Sequence, residues 1–428
     1  MDYFKNLKPG QGVHRRFNEL INKHVLVSPH RTKRPWKGQV EDPIVSDLPS
    51  YDKACYLCPG NERAGGYTNP RYDSVFTFDN DYPALLPPTA EDVEQIGEDH
   101  SGQQVYGRCK VMCFHPRHDV TLARMAHDDI VKVIRGWQEV YEQEGEAIRA
   151  MQKELNGPDE GYVQIFENRG AMMGCSAPHP HGQVWSMTYV PDEPHTEITR
   201  FSEHLKKHNA HLLLSYAQFE YENKERVVAV DEESGWIAVV PFWATWPYEL
   251  LVMQYKRHIP SLLQCSEAER DGLARILKEV LVRYDNLFSC PFPYSMGLHQ
   301  SPLPPLNPEA DPAEVHFHFY PPLLRSASVR KFMVGFEMLG EVQLTALQRD
   351  VTPEQSAAKL RDVSSRHYTE SVNGVSDIDG ANGVNGANGV HMRAGANGVN
   401  GISTATGGHC ANGVNGLPKA NGVNGVAH

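Results

Sequence analysis

The sequence predicts an α+β chain built from a duplicated strand–helix–strand unit and followed by a tail with no fold of its own. Three observations carry this. Strand-like and helix-like patterns recur in the same order twice, and each round ends in His-x-His on an extended segment, His179-Pro180-His181 and His316-Phe317-His318. Two landmarks keep nearly the same spacing: His118 and His258 lie 140 residues apart, His179 and His316 lie 137 apart. From Ser371 onward the chain is Asn-Gly and Ala-Asn-Gly-Val repeats without an aromatic residue, too little apolar surface to offset the entropy of ordering. The organisation expected is an N-terminal half over 1–190, a C-terminal half over 191–370 and a disordered tail over 371–428.

Taken in order, Val25-Leu26-Val27 reads as a short strand. It runs into Ser28-Pro29-His30-Arg31-Thr32-Lys33-Arg34-Pro35-Trp36, a proline-bounded loop with three cations in four positions. Such a loop is either a solvated basic turn or an anion clamp, in which the guanidinium forks of Arg31 and Arg34 suit two oxygens each. Cys55-x-x-Cys58 has zinc-knuckle spacing, although the same pair also fits a redox couple, and a metal needs two more ligands from elsewhere. Residues 75–83 alternate into a strand ending at Asn80-Asp81, side chains that cap a turn or hold a ribose. Residues 111–114 form a strand leading to His115-Pro116-Arg117-His118 and then a helix. Asp128 and Asp129 suit its first turn, and Ile130, Val133, Ile134, Trp137, Val140 and Tyr141 mark its core face. Cys113 and His115 read as local packing.

A strand over 161–168 delivers the stretch at 174–185, Gly-Cys-Ser-Ala-Pro-His-Pro-His-Gly-Gln-Val-Trp. Pro178 and Pro180 fix it as extended backbone, which puts both imidazoles on one side. Gly174 and Gly182 are expected to let the chain pass close to a bulky ligand. A neutral imidazole, with an unperturbed pKa near ~6.5, is a competent nucleophile without a separate base. Residues 193–218 read as one helix with Glu197 near its start. The plan then repeats with strands over 236–240 and 250–255. Lys256-Arg257-His258 stands where Pro116-Arg117-His118 stood, a capped helix covers 266–288, and Met296-Gly297-Leu298-His299 precedes the second His-x-His. Thr352-Pro353-Glu354-Gln355 opens a last short helix, capped and with proline at its first position.

Lys and Arg number 41 against 53 Asp and Glu, a formal charge of −12, which argues against a nucleic-acid binder. A small phosphorylated ligand needs only a few local cations. The N-terminal stretch has no apolar run of signal-peptide type and no segment is long enough to span a bilayer. The eight cysteines therefore read as thiols and metal ligands in a reducing compartment, the cytosol, with no membrane partner.

These stretches, with Phe-Asp-Asn-Asp-Tyr-Pro-Ala-Leu at 78–85, Phe-Glu-Asn at 166–168, Phe-Tyr-Pro-Pro-Leu-Leu-Arg-Ser at 319–326 and Arg-Lys-Phe-Met-Val-Gly-Phe-Glu-Met-Leu at 330–339, resemble the galactose-1-phosphate uridylyltransferase family, the transferase branch of the histidine-triad superfamily. The resemblance runs from about Val25 to Ser365. It implies histidine-triad-like units in one largely antiparallel sheet flanked by helices, and a ping-pong exchange of UMP between UDP-glucose and galactose 1-phosphate. His181 would be the nucleophile. Gln183 would stand where hydrolases of the superfamily carry a third histidine, and Gly174, Cys175 and Ser176 would cover the developing charge with amides and a hydroxyl. Cys55, Cys58, His118 and His179 would hold a structural zinc, and Glu197, His299, His316 and His318 a second metal, iron or zinc. Arg31, Arg34, Asn80, Asp81, Asn168, Gln183, Lys331, Phe332, Phe336, Glu337 and Gln343 match positions for uridine, phosphates and hexose, with Phe336 where the family commonly has tyrosine. The late segment would reach the neighbouring subunit's site, implying a homodimer. The rival readings are another histidine-triad nucleotidyltransferase, a dinucleoside polyphosphate phosphorylase, and a zinc-dependent binding module without turnover.

Overall fold

The computed structural model describes residues 2–10, 12–29, 48–90, 104–331, 333 and 351–370, all within one compact unit. Arg31, Arg34, Phe332, Phe336, Glu337, Gln343 and the repeat tail lie outside the described residues.

A hairpin of β1 (His14–Asn18) and β2 (Lys23–Val27) leads in. The main sheet has nine strands: β3 (Phe76–Asp79), β4 (Gly107–Cys113), β5 (Tyr162–Arg169), β6 (His181–Met187), β7 (Val227–Asp231), β8 (Trp236–Val239), β9 (Leu250–Gln254), β10 (Tyr294–His299) and β11 (His316–Tyr320). Their order is β3-β4-β6-β5-β10-β11-β9-β8-β7, antiparallel at every step. Helix α1 (His127–Glu154) joins β4 to β5, and α2 (Asp192–His208) and α3 (Leu212–Asn223) follow β6. Helix α4 (Glu267–Phe288) joins β9 to β10; after a small hairpin of β12 (Leu323–Ser326) and β13 (Val329–Arg330), α5 (Pro353–Asp362) is the last described element.

The α+β class and the duplication are as the pattern predicts. The path β4–α1–β5–β6 is repeated by β9–α4–β10–β11, and the two rounds meet at the β5–β10 pair, where Asn168 faces Ser295. The register differs from the spacing argument in one respect. His181 opens β6 and His316 opens β11, so the counterpart of His316 is His181, not His179. The segments between landmarks differ in length between rounds, which a spacing count absorbs as a two-residue shift.

Strand alternation sorts the sheet into two faces. Val163, Ile165, Val184, Val252, Leu298 and Phe317 pack against α1 and α4 in one large core. On the other face, α3 and the leading hairpin bury Ile237, Val239, Leu251 and Met253, and the N-terminal half carries the site. The single helix expected over 193–218 is two: α2 stops where Asn209 turns left-handed (φ 50°), and His211 is extended before α3 begins. The caps read for the other helices are present. Ser266 and Glu269 form a capping box on α4, and Thr352 and Gln355 do so on α5. Glu354 does more than suit a helix start: it ties α5 to Arg16 of β1 at 2.8 Å and to Arg226 at 3.1 Å, beside a buried Arg226–Glu220 pair at 2.8 Å.

Candidate active site and metal clusters

Along β6, His181, Gln183 and Trp185 point to the open face while Gly182, Val184 and Ser186 point inward. Nδ1 of His181 lies 2.7 Å from the carbonyl oxygen of His179, so Nδ1–H donates there and, among the described residues, nothing bonds the Nε2 lone pair. Burial pushes the His181 pKa below the ordinary histidine value, only partly opposed by that backbone bond. The ring is neutral at pH 7.

A recess of about 40 Å³ in front of the ring is lined by Asn168, Gly174, Cys175, Ser176, Gly182 and Gln183. Gln183 Oε1 accepts from the Trp185 indole at 3.2 Å, and Asn168 Oδ1 accepts from Ser295 at 2.6 Å. Both amides therefore turn their NH2 groups elsewhere, as donors for an anionic ligand. Gly174 is needed for its backbone: it closes the Ala171–Met173 turn at φ 77°, with open space where a Cβ would stand. The turn consumes two amides, Gly174 N–H to the Ala171 carbonyl and Cys175 N–H to the Gly170 carbonyl, so the expected amide cover is reduced and the Ser176 hydroxyl gains weight. Gly182 differs from the ligand-clearance expectation. Its absent Cβ would stand 2.7 Å from Phe114 Cζ and 2.9 Å from the Phe166 carbonyl, so it serves packing behind the strand.

The recess opens into a cavity of about 460 Å³ that shares Ser176, His181 and Gln183 and whose walls include Tyr56, Ala64, Phe78, Asn80, Asp81 and Val111. Asn80 does cap a turn, accepting from Tyr82 N–H at 2.9 Å, and its residue also faces the cavity; Arg63, stacked 3.8 Å over Phe78, lies 3.7 Å from Asp81. Lys331 lines neither space. Its ammonium donates to the Thr245 carbonyl at 2.5 Å.

Two clusters could hold metal ions. Cys55, Cys58, His118 and His179 each offer one donor atom, all within 4.8 Å of one another, as do Glu197, His299, His316 and His318. In the first, Cys58 Sγ is 3.6 Å from His118 Nδ1 and 3.5 Å from His179 Nδ1, while Nε2 of His179 donates to the His115 carbonyl at 2.9 Å. Burial pushes the Cys58 thiol up to about 11 and the His179 imidazole down to about 4. Neutral imidazoles beside thiols that ionise only with help are a donor set fit for a soft divalent cation. In the second, Glu197 reaches His299 at 2.6 Å, His318 at 3.3 Å and His316 at 3.5 Å. Burial alone would raise the Glu197 carboxyl, but the three imidazoles outweigh it and hold it well below its usual range. Residues 113 and 115 join neither cluster.

Sequence reasoning missed Tyr56, Ala64, Trp185 and Ser295 as parts of the site, and Tyr72, whose hydroxyl donates to the Leu57 carbonyl at 2.6 Å behind the first cluster. Tyr56, inside the Cys-x-x-Cys, and Trp185, at the end of the 174–185 stretch, lay within local signals; Ala64 and Ser295 did not.

Comparison with known proteins decides the family. Residues 4–191 match the N-terminal domain and residues 197–372 the C-terminal domain of galactose-1-phosphate uridyl transferase. The chain belongs to the galactose-1-phosphate uridylyltransferase family. Members named galactose-1-phosphate uridylyltransferase include one from Cryptococcus neoformans var. neoformans serotype D, 59% identical over 82% of this chain and 90% of its own. Another, from Saccharomyces cerevisiae, is 44% identical over 83% and 96%. Among solved structures, a uridylyltransferase aligns at a TM-score of 0.58 with 27% identity over 81% of this chain and 97% of its own. An ADP-glucose phosphorylase from Arabidopsis thaliana, at 20% identity and a TM-score of 0.60 over 82% and 100%, shares the fold. Family membership makes the protein an enzyme, a nucleotidyltransferase. Among the described residues no helix is long and apolar enough to cross a membrane.

Gly182→Ala should lower unfolding free energy by roughly 1–3 kcal/mol through overpacking, read from urea midpoints, whereas a site-clearance role would leave the midpoint unchanged.

Proposed function

We propose that the protein exchanges UMP between UDP-glucose and galactose 1-phosphate, giving UDP-galactose and glucose 1-phosphate, through a covalent uridylyl-His181. The observation that carries this reading is the Nδ1 bond to the His179 carbonyl, which leaves Nε2, among the described residues, unbonded at a recess of donors. The lone pair of Nε2 attacks the α-phosphorus. The bond to the bridging oxygen breaks, and glucose 1-phosphate leaves with its electron pair. A phosphate oxygen of galactose 1-phosphate then attacks the same phosphorus and returns the ring to its neutral form, so two in-line displacements replace one. Gln183 and Asn168 donate to the phosphoryl oxygens with Ser176, and none of them delivers a proton to the leaving group. That suits a phosphosugar, whose oxygen is stable as an anion. The cavity beyond, between Phe78 and the Asn80-Asp81 pair, takes the nucleoside.

Cys55, Cys58, His118 and His179 would hold zinc, which would tie down the residue two before the nucleophile. Glu197, His299, His316 and His318 would hold iron or zinc, which a carboxylate and three imidazoles both suit. The hexose contacts would come from the segment containing Lys331, Phe332, Phe336, Glu337 and Gln343, and the phosphate clamp from Arg31 and Arg34. Because Lys331 is engaged within its own subunit, a homodimer in which that segment serves the neighbouring site accounts for its place. The cytosol is the setting proposed.

Incubation with UDP-glucose labelled in the α-phosphate should leave one acid-labile, base-stable label per subunit. His181→Gly should form none and lose exchange entirely unless imidazole is added; exchange by that variant alone would sink the covalent route. Since burial lowers the His181 pKa, the neutral nucleophile persists on the acid side of the ordinary value. The kcat/KM for UDP-glucose should stay level from about pH 8 to about 6.5 and fall only below that. Cys58→Ser should release zinc and cost roughly 3 kcal/mol of stability, measured by metal analysis and thermal melting.

A further inference from the structure

We infer that Tyr56, the residue inside the Cys-x-x-Cys knuckle, is a positioning residue that aims the Ser176 hydroxyl at the phosphoryl group; this rests on the transfer reading above. The Tyr56 hydroxyl lies 3.1 Å from Ser176 Oγ, across 120 residues of chain. Ser176 is one of three residues common to the phosphate-sized recess and the larger cavity, and Tyr56 walls the larger one. The pair thus sits at the mouth between the two spaces.

The knuckle presents this phenol on a backbone held at every carbonyl. The Cys55 carbonyl accepts from Asn61 Nδ2 at 2.8 Å, that of Tyr56 from Asn69 Nδ2 at 2.8 Å, that of Leu57 from Tyr72 at 2.6 Å, and that of Cys58 from Asn69 Nδ2 at 3.2 Å. Asn69 and Leu57 are buried. Such clamping around a ring that is itself 42% exposed is more than a surface tyrosine needs. A solvated hydrogen bond contributes little, but one that a bound substrate covers is desolvated and strengthens.

The direction of the bond follows from chemistry. A phenol is a stronger donor than an aliphatic alcohol, so Tyr56 O–H donates and Ser176 Oγ accepts. That orientation frees the serine proton, and the recess is where a phosphoryl oxygen would take it. Without Tyr56 the serine hydroxyl rotates freely and must be ordered in each transition state. With Gly174 and Cys175 amides spent inside their own turn, the hydroxyl is a large share of the donors on that side.

The test is Tyr56→Phe, Ser176→Ala and the double variant in the full-length protein, with kcat and KM for both half-reactions, zinc content and melting temperature. Tyr56→Phe should lower kcat roughly tenfold with KM for UDP-glucose unchanged and zinc retained. The double variant should be no worse than Ser176→Ala. A raised KM with kcat intact would make Tyr56 a ligand contact and overturn the proposal, as would wild-type kinetics. If Tyr56→Phe also loses zinc or melts lower, the cycle still decides: losses in kcat that multiply overturn the coupling, and losses that collapse onto the Ser176→Ala value support it. Absence of a labelled His181 in the unsubstituted protein would instead defeat the transfer reading itself.

Discussion

One hydrogen bond governs the site, the 2.7 Å contact between Nδ1 of His181 and the carbonyl of His179. It chooses the tautomer, fixes the ring plane and decides which nitrogen faces the recess. A bond between residues two apart is only as stiff as the backbone that carries it. That stiffness is imported: the His179 ring is held by Cys58 on one side and by the His115 carbonyl on the other, and Phe114 N–H donates to the Pro180 carbonyl at 2.9 Å. Cys58 in turn belongs to a knuckle whose carbonyls are clamped by Asn61, Asn69 and Tyr72. A cluster of metal-ligand type therefore braces the one carbonyl that sets the His181 tautomer.

The second half keeps the bond and changes the anchor. Nδ1 of His316 lies 2.6 Å from the Glu314 carbonyl, the counterpart of His181 on His179. Where His179 is held by a Cys/His cluster, Glu314 is held by the start of α3. Its carboxyl oxygens accept from the amides of Leu213 at 2.8 Å and Leu214 at 2.7 Å and so satisfy free N–H groups at the helix N-terminus, while burial pushes the group up to about 7. Two unrelated devices thus meet one geometric demand, which argues that the demand, a fixed carbonyl two residues before a strand-opening histidine, belongs to the unit itself.

The sequence made the repeated unit legible because periodicity and the His-x-His pairs are local. Helix faces such as Ile130 to Tyr141 and the caps at Ser266 and Thr352 were legible for the same reason. The break at Asn209 was not, because one left-handed residue interrupts a pattern without changing its period. The pairing of His316 with His181 needed strand register, which spacing alone cannot supply when connecting segments differ in length. The role of Gly182 was misjudged because a glycine records only that a side chain is forbidden, not which neighbour forbids it; here it is Phe114. Trp185 and Ser295 were invisible since their work is to orient an amide on another residue, a relation that exists only once strands are paired.

What separates a proposed nucleophile from a metal ligand, on two copies of one strand, is made by neighbours. Opposite and beside His316 stand His299 and His318, and Glu197 arrives from α2 to complete four donors. The same two positions around His181 are Asn168 and Gln183, whose carbonyl oxygens are taken by Ser295 and Trp185 so that only N–H groups remain to face a ligand. An imidazole among lone pairs gathers a cation. The same imidazole among donors keeps its own lone pair available and is surrounded by groups suited to an anion. Two amides in place of two imidazoles, with no helix-borne carboxylate among the described residues around His181, are the difference between a donor set suited to a cation and one suited to the proposed attack on a phosphate.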